Sequence, residues 1–218
     1  NNFESSCNNW NNFLNFNNKD NFLCCLPIHH IGGLAVLVRA LIYNFSIHLA
    51  ESFNSKLLYQ LLNKNSITLV SLVPTMLDRI IKESNGLASL KKTRAILLGG
   101  GAASESLLNK CLKNKIPIVK TYGMTETCSG IVGLWIDQKP SKKHFSGYPF
   151  SDVSIKIIND EIIISGPMVM KGYLNGSESN GIHNSKDIGW MDEEGNLFIE
   201  MRRKDLIISG GKNINPKE

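Results

Sequence analysis

The sequence predicts an α/β protein in which layers of parallel sheet are covered by helices, with a smaller β-rich subdomain attached. Three observations carry this. Short apolar runs alternate with amphipathic stretches as far as Val119, the pattern of strand-helix repeats feeding a parallel sheet. Beyond residue 130 the runs become short and strand-like, separated by Gly-rich turns. Two Gly-containing segments follow apolar strands, where open parallel sheets present ligands.

In chain order, Phe3, Cys7, Trp10, Phe13 and Leu14 fall on one helical face within residues 3–16. Phe22–Leu26 reads as a buried strand ended by Pro27, and Leu34–Ile42 as a buried helix after Gly32-Gly33. Ile47–Leu49 is strand-like. Ser55–Asn63 is amphipathic through Leu57, Leu58, Leu61 and Leu62. Thr68–Val73 is a strand, Met76–Glu83 a helix, and Arg94–Leu98 a strand running into Gly99-Gly100-Gly101. Ser104 is suited to cap a helix to Asn114, because its hydroxyl can accept from an orphan N–H of the first turn. Ile116–Val119 is the next strand. The later strands are Val153–Ile158, Glu161–Ser165, Leu197–Glu200 and Leu206–Ile208.

The chain has 218 residues, 42% hydrophobic and 20% charged, with a net charge of +5, which permits a sizeable core. The basic residues are dispersed, and the densest groups, Lys142-Lys143 and Arg202-Arg203-Lys204, are too short for a nucleic-acid footprint. The five cysteines, Cys7, Cys24, Cys25, Cys111 and Cys128, form no Cys-x-x-Cys pair, so reduced thiols in a cytoplasm are expected. No run approaches the ~20 apolar residues of a membrane span. Both ends read as cut.

The chemistry concentrates in two places. In Leu98-Gly99-Gly100-Gly101-Ala102, glycines after a strand allow a ligand near the backbone, although a tight turn explains them equally. In Lys120-Thr121-Tyr122-Gly123-Met124-Thr125-Glu126-Thr127, Tyr122 offers a face for a base and Thr125 a hydroxyl for phosphate oxygens. Glu126 offers a carboxylate for magnesium. Read alone, this segment is equally a polar strand-to-helix loop.

Tyr122-Gly-Met-Thr-Glu-Thr127 resembles the signature of the adenylate-forming superfamily of acyl-CoA synthetases. In the same order as in that family, Leu26-Pro27-Ile28-His29-His30-Ile31-Gly32-Gly33-Leu34 resembles its acyl-pocket motif, and Ile164–Tyr173 its β-subdomain motif. Asp187-Ile188-Gly189 resembles its ribose-binding segment, and Arg202–Gly211 its hinge and first C-terminal strand. The resemblance implies the large domain of that family over residues 1–200, with a β subdomain over about 131–200. Residues 201–218 would be the hinge and the start of a C-terminal domain.

It also implies roles. Gly99, Gly100, Gly101 and Ala102 would line the adenine and acyl pockets. Thr121, Tyr122, Gly123 and Met124 would hold ATP or AMP, with Tyr122 stacked on adenine. Thr125 and Glu126 would be catalytic, Thr125 at the α-phosphate and Glu126 at the metal. Asp187 and Arg202 would bind the ribose region, His30 would wall the acyl pocket, Lys204 would be the hinge, and Gly210 and Gly211 would approach CoA. ATP, magnesium and CoA are implied as substrates and ion, with no tightly bound prosthetic group. A small carboxylic acid is the implied partner; nucleic acid and a membrane span are not, and self-association is left open.

Ser71–Leu77, Arg94–Gly101, Thr121–Cys128 and Asp205–Gly211 are most similar to 2-succinylbenzoate–CoA ligases of menaquinone biosynthesis. Arg39 is a candidate cation for the unreacted carboxylate of such a substrate, beside a structural role in helix packing. The alternatives are another aryl- or fatty-acyl-CoA ligase and a non-catalytic nucleotide-binding relative. Two departures stand out. Lys186 occupies the usual Gly of a Thr-Gly-Asp ribose segment and brings bulk and charge beside the nucleotide. The short Ile157–Glu161 segment suggests a trimmed hairpin. The family's phosphate loop would precede residue 1 and its catalytic Lys would follow residue 218, so the chain by itself is expected to be inactive.

Overall fold

A computed structural model describes residues 2–64, 66–138, 145–176, 178–202, 207–209 and 212–214, from Met201 onward by backbone alone. The first half comprises α1 (Asn2–Leu14), β1 (Asn21–Cys24), α2 (Ile31–Tyr43), β2 (Ser46–Leu49), α3 (Ser55–Lys64), β3 (Leu69–Leu72), α4 (Pro74–Lys82), α5 (Gly86–Leu90), β4 (Ala95–Leu98) and α6 (Glu105–Lys113). Ser104 caps α6 as expected, its Oγ accepting from Leu107 N–H at 3.3 Å. Then come β5 (Ile118–Met124), a 3-10 turn (Thr125–Thr127), β6 (Ser129–Trp135), β7 (Phe145–Pro149), β8 (Ser154–Ile158), β9 (Glu161–Ser165), β10 (Ile182–Met191) and β11 (Leu197–Arg202). β12 (Ile207–Ser209) and β13 (Lys212–Ile214) form a small antiparallel pair.

The expected α/β class holds. β1 to β5 are parallel in the order β2-β1-β3-β4-β5. Their side chains alternate between two cores, as a strand's period of two requires when both faces are covered. Phe22, Cys24, Leu69, Ala95, Leu97 and Val119 meet α1 and α2 through Trp10, Leu14, Val36 and Ala40. Leu23, Val70, Leu72, Ile96, Leu98 and Ile118 meet the remaining helices through Leu58, Leu62, Leu77, Ile80, Leu90 and Leu107. At the N-terminal ends of these strands, Asp20 binds Arg94 through both carboxylate oxygens, at 3.0 and 2.7 Å, and accepts from Thr68 at 2.8 Å.

The β-rich part continues the same sheet, in the order β5-β6-β7-β11-β10-β9-β8. It has its own core of Ile131, Val132, Ile162, Ile164, Met168, Val169 and Leu197. β6 and β7, absent from the expected strands, weld the halves; glycines interrupt both, at Gly130 and Gly133 in β6 and at Gly147 in β7. Against Gly133 pack Phe13 of α1 and Phe150. The short hairpin β8–β9 is complete: Asn159 and Asp160 form a two-residue turn with φ of 50° and 64°, the geometry that Asn and Asp tolerate. No helix of the described residues is long and apolar enough to cross a membrane.

Candidate functional site

β5 carries the signature residues farther than the sequence suggested. Thr121, Tyr122, Gly123 and Met124 are strand, paired with β6, and not loop. The register shifts between Tyr122 and Gly123, so β6 holds one extra residue there. Such a bulge bends a strand and re-aims its side chains. Glycine is needed at 123, because a Cβ would lie 2.0 Å from the Ser129 carbonyl oxygen.

The 3-10 turn then reverses the chain through two non-glycine residues in left-handed conformation, Cys128 (φ 51°) and Ser129 (φ 94°). Such residues persist only where their surroundings over-determine them. Here Ser6 Oγ donates to the Cys128 carbonyl at 2.7 Å, Trp10 Nε1 to the Gly130 carbonyl at 3.1 Å, and Arg39 Nη2 to Ser129 Oγ at 2.9 Å. Arg39 is fully buried on α2, its guanidinium 5.0 Å from the Trp10 ring, and burial pushes its pKa down to about 10. These are the contacts of the structural role weighed for it.

At the tip of the turn Thr125 is exposed and Glu126 half-buried. The Glu126 backbone carbonyl accepts from Met170 N–H at 2.7 Å, and its Oε1 accepts from the Tyr173 hydroxyl at 2.7 Å. The hydrogen bond to Glu126 pushes the Tyr173 phenol up from its ordinary range. The sequence reading held Tyr173 as part of a motif but not as a site residue; its partner lies 47 residues away, beyond any local spacing.

Asp187 is 4% exposed and accepts from the Tyr122 hydroxyl at 2.6 Å. It too stands beside an irregularity. Between Asn184 and Ile188, β10 loops out of register with β9, and between Ile188 and Gly189 it shifts against β11. Lys186 sits in that loop at φ 60°. Its Nζ lies 3.4 Å from Glu161 Oε2, which also accepts from Asn184 Nδ2 at 2.6 Å. The charge that the sequence puts beside Asp187 is thus matched by a carboxylate, and the Lys186 side chain is 66% exposed.

The loop after β4 reaches the same end of the sheet. Gly99 N–H donates to the Leu72 carbonyl at 3.2 Å, and a Cβ on Gly99 would come within 2.8 Å of Thr121 Cγ2. Gly100, Gly101 and Ala102 are exposed beyond it. His30, expected at the wall of the acyl pocket, is exposed at the start of α2, its ring 4.4 Å from that of His29. Arg202 is opposite Asp187 in the β10–β11 register, described by its backbone alone. Lys204, Gly210 and Gly211 lie outside the described residues.

The assembled groups are a phenol-bearing ring bonded to a buried carboxylate, an exposed hydroxyl, a second carboxylate and a glycine loop. They can hold a ligand with a flat base, vicinal hydroxyls and anionic oxygens. Among the described residues no three His, Cys, Asp or Glu groups cluster to enclose a metal ion. Glu126 alone fits a hard cation that keeps its waters and shares ligand oxygens.

A family model described as AMP-binding enzyme matches residues 1–174. The 2-succinylbenzoate–CoA ligase of Listeria monocytogenes is 41% identical over 212 residues, 94% of this chain and 45% of that protein. The enzyme of the same name from Bacillus subtilis is 38% identical over 221 residues. The chain thus spans about half the length of the curated relatives it matches. Among solved structures, o-succinylbenzoate CoA synthetase from Bacillus subtilis in complex with its acyl-adenylate intermediate superposes with TM-score 0.91 at 36% identity, over 100% of this chain and 48% of that one. The same enzyme in complex with ATP and magnesium ion gives TM-score 0.90 at 36% identity, over 99% of this chain and 48% of that one.

Proposed function

The chain belongs to the AMP-binding enzyme family, and on that premise we propose that the whole protein is an ATP-dependent acid–thiol ligase acting on 2-succinylbenzoate and CoA. The observation that carries the reading is the 2.6 Å bond between Tyr122 and Asp187, 65 residues apart, joining the two segments expected to hold adenine and ribose. The relatives of that name, at 35–41% identity over 93–94% of the chain, support the substrate.

The reaction has two steps. A carboxylate oxygen of the acid attacks the α-phosphorus of ATP, giving an acyl-adenylate and releasing pyrophosphate. The CoA thiol, losing its proton, then attacks the acyl carbon and releases AMP. Tyr122 stacks on adenine and, through its hydroxyl, fixes Asp187, whose paired oxygens accept from the ribose hydroxyls. Thr125 donates to an α-phosphate oxygen from the exposed turn. Glu126 holds magnesium, which when bound offsets the negative charge of the phosphate oxygens. Alignment of donors before reaction is the main contribution of such a site. No nucleophile of the protein enters, so the five buried, unpaired thiols are structural, and they support a reducing, cytoplasmic setting. Residues 1–200 act as the nucleotide-binding domain with its β subdomain from about 131, and 201–218 as hinge and start of a C-terminal domain, Lys204 being the pivot and Gly210-Gly211 the approach to CoA.

The test is AMP release by the full-length protein with ATP, CoA and a panel of 2-succinylbenzoate, benzoate and octanoate. Preference for 2-succinylbenzoate is expected. Preference for another acid would keep the ligase and overturn the substrate; AMP binding without turnover on any acid would favour a non-catalytic relative.

A further inference from the structure

The segment that follows β9 folds back over the turn carrying Glu126. Its beginning is held by Asn2 of α1, whose Nδ2 donates to the Pro167 and Val169 carbonyls at 2.8 and 2.6 Å. Its return limb is closed by the bridge between Gly172 and Glu178 and by Ser179, whose N–H donates to the Lys171 carbonyl at 2.8 Å. Between these anchors two groups land on one residue. Met170 N–H meets the Glu126 backbone carbonyl, and the Tyr173 hydroxyl meets its carboxylate, each at 2.7 Å.

Burial does not account for Tyr173. It is 60% exposed, and Leu174 beside it is fully exposed. Its hydroxyl donates to Glu126 Oε1, while its backbone carbonyl accepts from Gly176 N–H at 3.0 Å. A carboxylate has two oxygens and about four acceptor sites, so it can serve a phenol and a cation together. A donor on one oxygen restricts the rotation of the group and aims the rest of it.

We propose that Tyr173 is a positioning residue for the divalent cation of the bound nucleotide, its hydroxyl orienting the Glu126 carboxylate toward that cation. The proposal rests on the reading of Glu126 given above. The looped segment then serves as a clasp, its backbone fixing where Glu126 stands and its phenol fixing how the carboxylate turns. Hydrogen-bond partners of metal-ligating carboxylates commonly change metal affinity by about 10–100-fold when removed; exposure of Tyr173 puts the expectation at the lower end.

The experiment uses the full-length protein and Tyr173→Phe, which keeps the ring. Binding of AMP without metal and of ATP across a magnesium series is followed by calorimetry, with thermal unfolding as control. Expected are unchanged AMP affinity, an unchanged unfolding temperature and a magnesium requirement for ATP binding raised about tenfold. Manganese(II), followed by its paramagnetic resonance in the presence of ATP, should bind more weakly by a similar factor. An unchanged magnesium requirement would overturn the proposal, as would equal losses of AMP and magnesium-ATP affinity, which would mark a merely structural role. Failure of the wild-type protein to bind AMP at all would overturn the nucleotide reading itself, and this proposal with it.

Discussion

The two halves of the sheet solve different problems. In β1 to β5 the parallel pairs keep unbroken register, and the strands inside the edge strand β2 are covered on both faces. From β5 onward, four of the antiparallel pairings shift register, and the shifts at Tyr122/Gly123 and Asn184/Ile188 adjoin the two partners of the central bond. The first half holds the fold through apolar burial, which is insensitive to the exact direction of a side chain. The second spends regularity on direction: bulges and left-handed residues turn Tyr122 and Asp187 toward each other. Stability and ligand recognition are therefore separable, and substitutions should sort by half.

The largest separable effect is expected in the parallel half. Leu77 is fully buried under the sheet, and Leu77→Ala should cost about 2–5 kcal/mol in urea unfolding. AMP affinity of the folded protein should stay as it was; a parallel loss of affinity would break the division. In the other half, Asp187→Ala should lower AMP affinity by roughly 10–100-fold, the worth of charged hydrogen bonds of about 1.5–3 kcal/mol. Its unfolding midpoint should move far less than that of Leu77→Ala.

The thiols sharpen the contrast through pH. Burial pushes Cys25 up to about 12 and Cys111 up to about 11, both in the parallel half. Unfolded thiols ionise from about pH 9. Above that the unfolded chain binds fewer protons than the folded one, so stability falls as pH rises. It should be full below pH 9 and decline from there toward the folded values. Cys25→Ala and Cys111→Ala should flatten the decline, read from urea unfolding at each pH; an equally steep slope in both variants would contradict the assignment. The smallest effect is a gain. Lys186 holds φ 60°, a conformation costing a non-glycine residue roughly 1–2 kcal/mol. Its exposed ion pair with Glu161 returns at most about 1 kcal/mol. Lys186→Gly should therefore stabilise by about 0.5–1 kcal/mol with AMP affinity unchanged.

The same division governs what could be read from the chain. The continuous apolar runs at Phe22–Cys25 and Ala95–Leu98 are local signals, so the parallel strands, their helices and the Ser104 cap are legible. The site segments were legible because Tyr122–Thr127 and Asp187 match a family pattern. Their joining was not, since the contact spans 65 residues and depends on bulges that no residue preference announces. Tyr173 escaped for the same reason. His30 stands exposed at the start of α2, a position that its apolar neighbours in sequence do not announce.

The most direct test of the account is a double-mutant cycle on AMP affinity in the full-length protein, combining Tyr122→Phe, which leaves the ring and removes the hydroxyl, with Asp187→Ala. If the phenol acts through the carboxylate, Tyr122→Phe weakens AMP binding in the wild-type background and changes nothing further once Asp187 is gone, a coupling of at least about 0.5 kcal/mol. Strictly additive losses would mean that the two residues serve the nucleotide independently and that the bond between the halves of the sheet does not build the site.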